Sequence, residues 1–121
     1  MDFKLDTYEK YSIASIGDEK VDSTIAPELK SEFMNIAQSG VSSLIVDMGG
    51  VKYVDSSGLS ALLVGNRTFA ESGVFVLFNV TDHVMKLINI SQLDKVMNIT
   101  ATQEEAADAV LMAEIQKGAA E

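Results

Sequence analysis

Residues 55–59, DSSGL, place two adjacent hydroxyls between a carboxylate and a glycine, directly ahead of an uncharged apolar run. Serine commonly caps helix N-termini, so this pattern predicts that Ser56 caps a helix over 57–70. The negative charge of Asp55 would interact favourably with the positive N-terminal end of the helix dipole. A serine at a helix start is also a group that a kinase can phosphorylate, because free backbone N–H groups there tolerate an anion. The segment is thus a helix cap, a modification site, or both.

The helix that follows carries no charge between Asp55 and Arg67. Its core-facing stripe is predicted to consist of apolar and small residues at helical spacing: Leu59, Leu62, Leu63, Asn66, Phe69 and Ala70. The opposite face is predicted to carry Ser57, Ser60, Ala61 and Val64. A helix on the surface normally shows charge on its outer face, so an uncharged one indicates that the domain or a partner covers it.

Few other residues could support catalysis or metal binding. His83 is the single histidine and follows Asp82 at a predicted helix start, where we interpret it as a surface residue. No nucleophile elbow, Walker loop, dinucleotide fingerprint or zinc-protease motif is present in the sequence. Asp22, Asp47 and Asp55 could converge in space, but their spacing does not establish it. We therefore expect no catalytic residue, no metal and no cofactor.

Composition and charge restrict the class of partner. The 121 residues suit one domain, with 47% hydrophobic and 22% charged residues. A net charge of −9 disfavours nucleic acid and anionic lipid, so proteins are the expected partners. The absence of cysteine from the sequence excludes disulfides. No stretch resembles a signal peptide or a membrane span, which predicts a cytoplasmic protein.

Alternation and helical spacing predict strands and helices in turn, hence an α/β fold of four to five strands in a mixed sheet with about four helices. We expect a single domain over 1–121, with its core at about 3–116 and a frayed tail over 117–121. The first two strands should add an antiparallel edge to a mainly parallel sheet, and helix 57–70 should start at the carboxyl end of a central strand. The predicted strands cover 3–7, 11–17, 44–46, 74–78 and 96–99, a short extended piece ends at Val54, and the other helices start near Ala26, Asp82 and Thr102.

Three segments in order resemble the family of STAS-domain anti-sigma factor antagonists. The stretch LIVDMGGVKYVDSSGLSALLVGNR is similar to that family's signature, in which Asp-Ser-[Ser/Thr]-Gly begins the second helix. VDSTIAPELKSEF resembles the segment that opens its first helix, and HVMKLINISQLDKVMNI resembles its third helix and last strand. The resemblance covers residues 3–112 and implies a STAS-like fold.

The resemblance also implies a function in bacterial signalling and transcription regulation. In that family the unphosphorylated protein binds an anti-sigma factor that is also a serine protein kinase, and so releases a sigma factor by partner switching. Phosphorylation of the serine after the Asp, here Ser56, turns binding off, and a PP2C-type phosphatase is the candidate for reversing it. Asp55 would orient the hydroxyl or help its deprotonation. The residues implied in partner binding are Asp22, Asp55, Ser57, Gly58, Ser60, Ala61 and Val64.

One departure from the family and two other interpretations leave the function open. Glu19 and Lys20 stand where the family usually has Gly-Glu, so the identity of the kinase partner is open. The chain could instead be a non-enzymatic STAS scaffold or accessory module in a stress-signalling or lipid-transport assembly, with Ser56 acting only as a helix cap. It could also be a small enzyme or nucleotide-binding protein that uses the serine turn.

Overall fold

The structure, a computed structural model, describes residues 1–119, and it describes the side chains of 1–116. Of the tail predicted to fray, 117–119 belong to the last helix, and 120–121 lie outside the described residues. The elements in chain order are β1 Phe3–Thr7, β2 Ser12–Ile16, β3 Lys20–Val21, α1 Ala26–Gln38, β4 Leu44–Asp47, β5 Tyr53–Val54, α2 Ser56–Phe69, β6 Phe75–Phe78, α3 Asp82–Ile90, β7 Asn98–Thr100 and α4 Gln103–Ala119.

The main sheet has five strands in the order β1-β2-β4-β6-β7. β1 pairs with β2 antiparallel, and the remaining neighbours are parallel, which confirms the predicted mixed sheet with an antiparallel edge. The apolar run 44–46 forms the central strand, where Ile45 stands between Ile13 and Val76. All three residues of this run are fully buried because helices cover both faces of the sheet.

The two faces of the sheet have separate cores, since successive side chains of a strand point to opposite sides. Helices α1, α2 and α3 cover one face, where Val46 and Leu77 share a core with Phe33, Leu62 and Ile88. Of the helices within residues 1–119, α4 covers the other face, where Ala106, Val110 and the half-buried Ala109 pack against the β2, β4 and β6 side chains. Within residues 1–119, no helix combines the length and apolar character needed to cross a bilayer.

A second sheet of two strands corrects one prediction. Helix α2 was expected to start at the end of a central strand, but it follows β5, which pairs only with β3. The chain leaves β4 after Asp47 through a turn at Gly49–Gly50, in which the N–H of Val51 donates to the Met48 carbonyl at 3.0 Å. The N–H groups of 52 and 53 then donate to the Glu19 carbonyl, which draws β5 to β3 and away from the main sheet.

Small residues set the position of α2. A Cβ on Gly65 would lie 2.6 Å from the Phe75 ring and 2.8 Å from the Phe33 ring, so the helix approaches the core there as only glycine permits. Those two rings meet edge to face at 5.2 Å between centroids. The close approach at Gly65 sets the short distance between the middle of α2 and the core.

Candidate functional site

Asp55, not Ser56, caps α2. Asp55 has an extended backbone, and its Oδ1 accepts a hydrogen bond from the Gly58 N–H at 2.9 Å. The helix therefore runs over 56–69, and the prediction that Ser56 caps a helix over 57–70 is wrong by one residue. Both residue types can cap a helix; here Asp55 does so because its carboxylate reaches the N–H three residues further on.

Ser56 is the first residue of the helix and is exposed to solvent. Its hydroxyl makes no hydrogen bond to any of the described residues, whereas the helix cap next to it is already supplied by Asp55. Ser57, one residue further into the first turn, is half-buried. The first N–H groups of a helix have no partner inside the helix, so this corner offers both a free hydroxyl and free donors for an anion.

Asp55 and Asp22 lie side by side at the carboxyl ends of the paired strands β5 and β3. Val54 and Val21 are partners in that sheet, and each aspartate is the next residue of its strand. The second carboxylate oxygen of Asp55 accepts from the Ser23 N–H at 3.3 Å, which ties the start of α2 to the loop before α1. The structure thus places Asp22 near the start of α2, as the resemblance implied; its part in partner binding stays a prediction.

Hydrogen bonds hold Asp22 in its ionised form. Its Oδ1 accepts from the Thr24 hydroxyl and, at 3.0 Å, from the Thr24 N–H. The hydroxyl bond first, then the backbone bond, lowers the pKa of Asp22 from its ordinary value of 3.8, with a smaller contribution from Lys20. The Asp22 carboxylate in the loop before α1 therefore stays ionised to a lower pH than an ordinary aspartate, because its pKa is lowered.

The predicted outer face of α2 is partly wrong, because Ala61 is buried; Gly58, a candidate partner-binding residue, is buried as well. A Cβ on Gly58 would lie 2.1 Å from the Val21 carbonyl oxygen, and Ala61 is fully buried in the core shared by α1 and the sheet. The small residues Gly58, Ala61 and Gly65 lie on one side of α2, and this side is buried. The residues that stay exposed or half-buried, from the predicted outer face and the predicted core stripe together, are Ser57, Leu59, Ser60, Leu63, Val64, Asn66 and Ala70.

A groove of about 480 Å³ lies directly beside Ser56. Tyr53 is 43% exposed, and its ring stacks on the His83 ring with 6.2 Å between centroids. His83 is exposed in the first turn of α3, as predicted. Sequence reasoning missed this groove, and no local pattern signals it, because one side comes from the β5–α2 segment and the other from α3 and Ser91. The groove is lined by Tyr53, Val54, Asp55, Ser56, Leu59, His83, Leu87 and Ser91.

Asp47 does not join the other two aspartates. Its Oδ1 accepts from the Gly49 N–H at 2.9 Å and from the Asn79 side chain at 3.4 Å, so it stabilises the turn after β4. Across the described part of the chain, no three His, Cys, Asp or Glu side chains are grouped so as to hold a metal ion. The chemistry that this corner offers is a free hydroxyl flanked by two carboxylates and an apolar groove.

Comparisons with known proteins identify the family of this domain. The family model for the STAS domain matches residues 8–106. BtrV of Bordetella bronchiseptica, which has the provisional name of anti-sigma factor antagonist, is 29% identical over 90 residues, or 74% of this chain and 78% of BtrV.

Solved structures give the same fold. An anti-sigma factor antagonist (STAS) domain protein of Planctomyces limnophilus superposes with a TM-score of 0.81 at 22% identity, over 92% of this chain and 99% of that one. The antagonist SpoIIAA in its unphosphorylated form gives 0.72 at 25% identity, over 88% and 94% of the two chains. The phosphorylated form of Bacillus SpoIIAA gives 0.66 at 24%, over 88% and 97%.

Proposed function

The chain belongs to the STAS domain family, and on that basis we propose that it is an anti-sigma factor antagonist that is switched by phosphorylation of Ser56. In this proposal the unphosphorylated chain acts by binding, not by catalysis: it occupies an anti-sigma factor that is also a serine kinase, and the sigma factor is released. The relatives BtrV and SpoIIAA carry the name of antagonist, and SpoIIAA is known in both an unphosphorylated and a phosphorylated form.

The observation that carries the proposal is the state of the Ser56 hydroxyl. It is exposed, it stands at a helix N-terminus, and it is not needed as a cap because Asp55 fills that position. The scaffold interpretation assigned Ser56 only to capping, and the geometry of Asp55 removes that reason for a serine at this position. A kinase requires a hydroxyl that it can reach, and a hydroxyl that makes no stabilising hydrogen bond can be modified without loss of the fold.

The phosphoryl transfer needs nothing from this chain except the hydroxyl and its position. The Ser56 oxygen forms a bond to the γ-phosphorus of ATP, the bond to the bridging oxygen breaks, ADP leaves, and the hydroxyl proton goes to a base of the kinase. Asp55 is poorly placed to take that proton, because its two carboxylate oxygens accept hydrogen bonds from the N–H groups of Gly58 and Ser23. Asp55 therefore acts by positioning Ser56 at the start of α2.

The switch follows from charge at the interface. The exposed Ser60, the half-buried Leu59 and the groove beside Tyr53 form one surface next to Ser56, and we assign the partner to it. A phosphate adds about −1.5 to −2 charges, which would have to lose water on binding while Asp55 and Asp22 stand close by. Going from about 90% to about 10% bound at fixed concentration requires roughly 80-fold weaker binding, or about 2.6 kcal/mol.

Phosphorylation with matched serine variants tests the proposal. The chain is incubated with ATP and each candidate anti-sigma factor kinase, and the product is analysed by intact mass and peptide mapping. We expect one phosphoryl group on Ser56, none on Ser56→Ala, and normal labelling of Ser57→Ala and Ser60→Ala. Labelling that persists in Ser56→Ala and disappears in Ser57→Ala would move the site by one residue. Labelling unaffected by either change would leave the scaffold interpretation.

A further inference from the structure

Strand β1 forms one edge of the main sheet, and β7 forms the opposite edge. No strand among residues 1–119 pairs with the outer side of β1, and its pairing with β2 runs over five residues without a bulge. Four of its five residues are exposed, and the strand contains no proline. The opposite edge strand, β7, has only three residues. An edge as long and regular as β1 is a template for another strand.

The backbone groups that face the open edge can be identified from two hydrogen bonds at the ends of β1. The Gly17 N–H donates to the Asp2 carbonyl at 2.7 Å, and the Tyr8 N–H donates to the Tyr11 carbonyl at 2.8 Å. In an antiparallel pair such bonds recur at every second residue, so the even-numbered residues of β1 bond to β2. The unpaired N–H and C=O groups at the open edge belong to the odd-numbered residues Phe3, Leu5 and Thr7.

Strand β1 carries a positive and a negative side chain, Lys4 and Asp6, on either side of Leu5. Two antiparallel copies of the strand can therefore pair these opposite charges. If two copies pair antiparallel with Leu5 opposite Leu5, each Lys4 stands opposite Asp6 of the second copy, and the odd-numbered backbone groups exchange hydrogen bonds. Shifting the two-fold axis by one residue either way places Lys4 opposite Lys4 or Asp6 opposite Asp6. Opposite charges at directly facing positions stabilise a strand pair, and like charges destabilise it.

We propose that β1 pairs antiparallel with β1 of a second copy of this chain, in the register centred on Leu5, so that the two sheets become continuous. Leu5 is 40% exposed in the single chain, and in the pair it packs against its counterpart. Two five-residue strands make a small contact, so we expect a weak dimer that forms at high concentration. The inference concerns a surface separate from Ser56 and does not depend on the proposed function.

Sedimentation equilibrium of the wild-type chain and charge-swap variants tests the register as well as the dimer. At about 0.15 M salt, long-range repulsion between the two negatively charged copies is screened beyond about 8 Å. Lys4→Asp and Asp6→Lys each place like charges opposite each other twice, and each should raise the dimer dissociation constant roughly 10-fold or more. The double variant Lys4→Asp with Asp6→Lys restores opposite charges and should restore the wild-type value.

Matched controls separate this contact from the effect of net charge. Lys86→Asp on α3 and Asp108→Lys on α4 are exposed changes of the same charge, and they should leave the dissociation constant near that of the wild type. Far-ultraviolet circular dichroism verifies that every variant is folded. A wild-type chain that stays monomeric up to about 1 mM has no dimer of measurable affinity and would overturn the proposal. So would a dimer that is indifferent to the single swaps, or that the double variant does not restore.

Discussion

Gly58 lies against the backbone of Val21: a Cβ at position 58 would come within 2.1 Å of the Val21 carbonyl oxygen. This contact brings the first turn of α2 down onto the end of β3. The same Val21 carbonyl accepts a hydrogen bond from the backbone N–H of Asp55 at 3.3 Å, so both Asp55 and Gly58 contact the end of β3 at this oxygen. The glycine of the DSSGL segment is therefore a packing residue, and its small size keeps Ser56 at the surface beside Asp22.

Gly58→Ala should destabilise the chain, although the same change in an exposed helix stabilises by about 1 kcal/mol. The added methyl group would meet a backbone carbonyl that cannot rotate away, and overpacking of this kind costs about 1–3 kcal/mol. Urea denaturation followed by circular dichroism measures the difference. Ser57→Ala, one residue earlier and half-buried, is the control and should change stability little. A more stable Gly58→Ala would show that α2 is free to move off β3.

Asp55→Ala should lower the free energy of unfolding by about 0.5–2 kcal/mol, because the N–H groups of Gly58 and Ser23 lose their acceptor. Asp55→Asn keeps one acceptor oxygen, which can still cap Gly58, but its NH2 group would face the Ser23 N–H, so this variant should lose an intermediate amount. Comparing the two variants by urea denaturation separates the bond to Gly58 from the rest of the Asp55 contribution. Equal stability of Asp55→Ala and the wild type would mean that the cap contributes nothing.

The same substitution at two adjacent positions of α2 should give opposite results. Ser60→Glu is exposed and should change stability by no more than about 0.5 kcal/mol, yet it should abolish partner binding by adding charge to the docking surface. Ala61→Glu would bury a carboxylate without a partner and should cost more than about 3 kcal/mol. Thermal melting and a binding titration check both variants. If Ala61→Glu were as stable as the wild type, Ala61 would have to be exposed on the outer face of α2.

The five strands of the main sheet and the start of α2 could be predicted because local chemistry determines them, whereas the two-residue strand β3 was not predicted. Alternation defines β1 and β2, the apolar run 44–46 requires a strand covered on both faces, and DSSGL locates a helix start to within one residue. The cap itself was assigned to the wrong residue because Asp and Ser are both good caps, and only the position of Gly58 shows which one reaches the N–H group.

The inner face of α2 was predicted only in part and the groove not at all, since both depend on distant parts of the chain. Leu62 and Phe69 are buried as predicted, but Gly58, Ala61 and Gly65 are buried too. The leucines dominate the hydrophobic pattern, but the helix comes closest to its neighbours at two glycines, because Gly58 meets the Val21 carbonyl and Gly65 meets the Phe33 and Phe75 rings. The groove exists because the Gly49–Gly50 turn takes Tyr53 out of the main sheet and against His83. No local sequence pattern predicts the contact between the Tyr53 and His83 rings, which are 30 residues apart.

Removing the Thr24 hydroxyl should raise the pKa of Asp22 toward its ordinary value of 3.8. In the folded chain the hydrogen bonds from Thr24 favour the ionised carboxylate, so their stabilisation is present above the unfolded pKa and is lost as the pH falls through the lower, folded pKa. Thr24→Val should show the upward shift in an NMR titration, and its stability deficit should vanish in acid. Thr24→Ser keeps a hydroxyl and should keep the low pKa. An unchanged pKa in Thr24→Val would assign the shift to the backbone N–H alone.

Phosphorylation of Ser56 should leave the fold intact while weakening the partner complex roughly 80-fold or more. The free N–H groups at the start of α2 favour an anion by about 0.3–1 kcal/mol, which offsets repulsion from the Asp55 and Asp22 carboxylates. The melting temperature of the phosphorylated chain should therefore stay close to that of the unmodified one. Calorimetric titration of the partner should give the loss of binding directly. Ser56→Asp adds one charge instead of about two and should weaken binding less than the phosphate does.

Ser31→Asp, on the exposed side of α1, adds the same charge away from the groove and should bind the partner as the wild type does. If the control binds as weakly as Ser56→Asp, net charge and not the position of the phosphate governs the complex. If the phosphorylated chain melts many degrees lower, binding is lost because the start of α2 comes apart. Intact folding together with position-dependent loss of binding is the outcome that a switch built on an exposed serine and a separate aspartate cap requires.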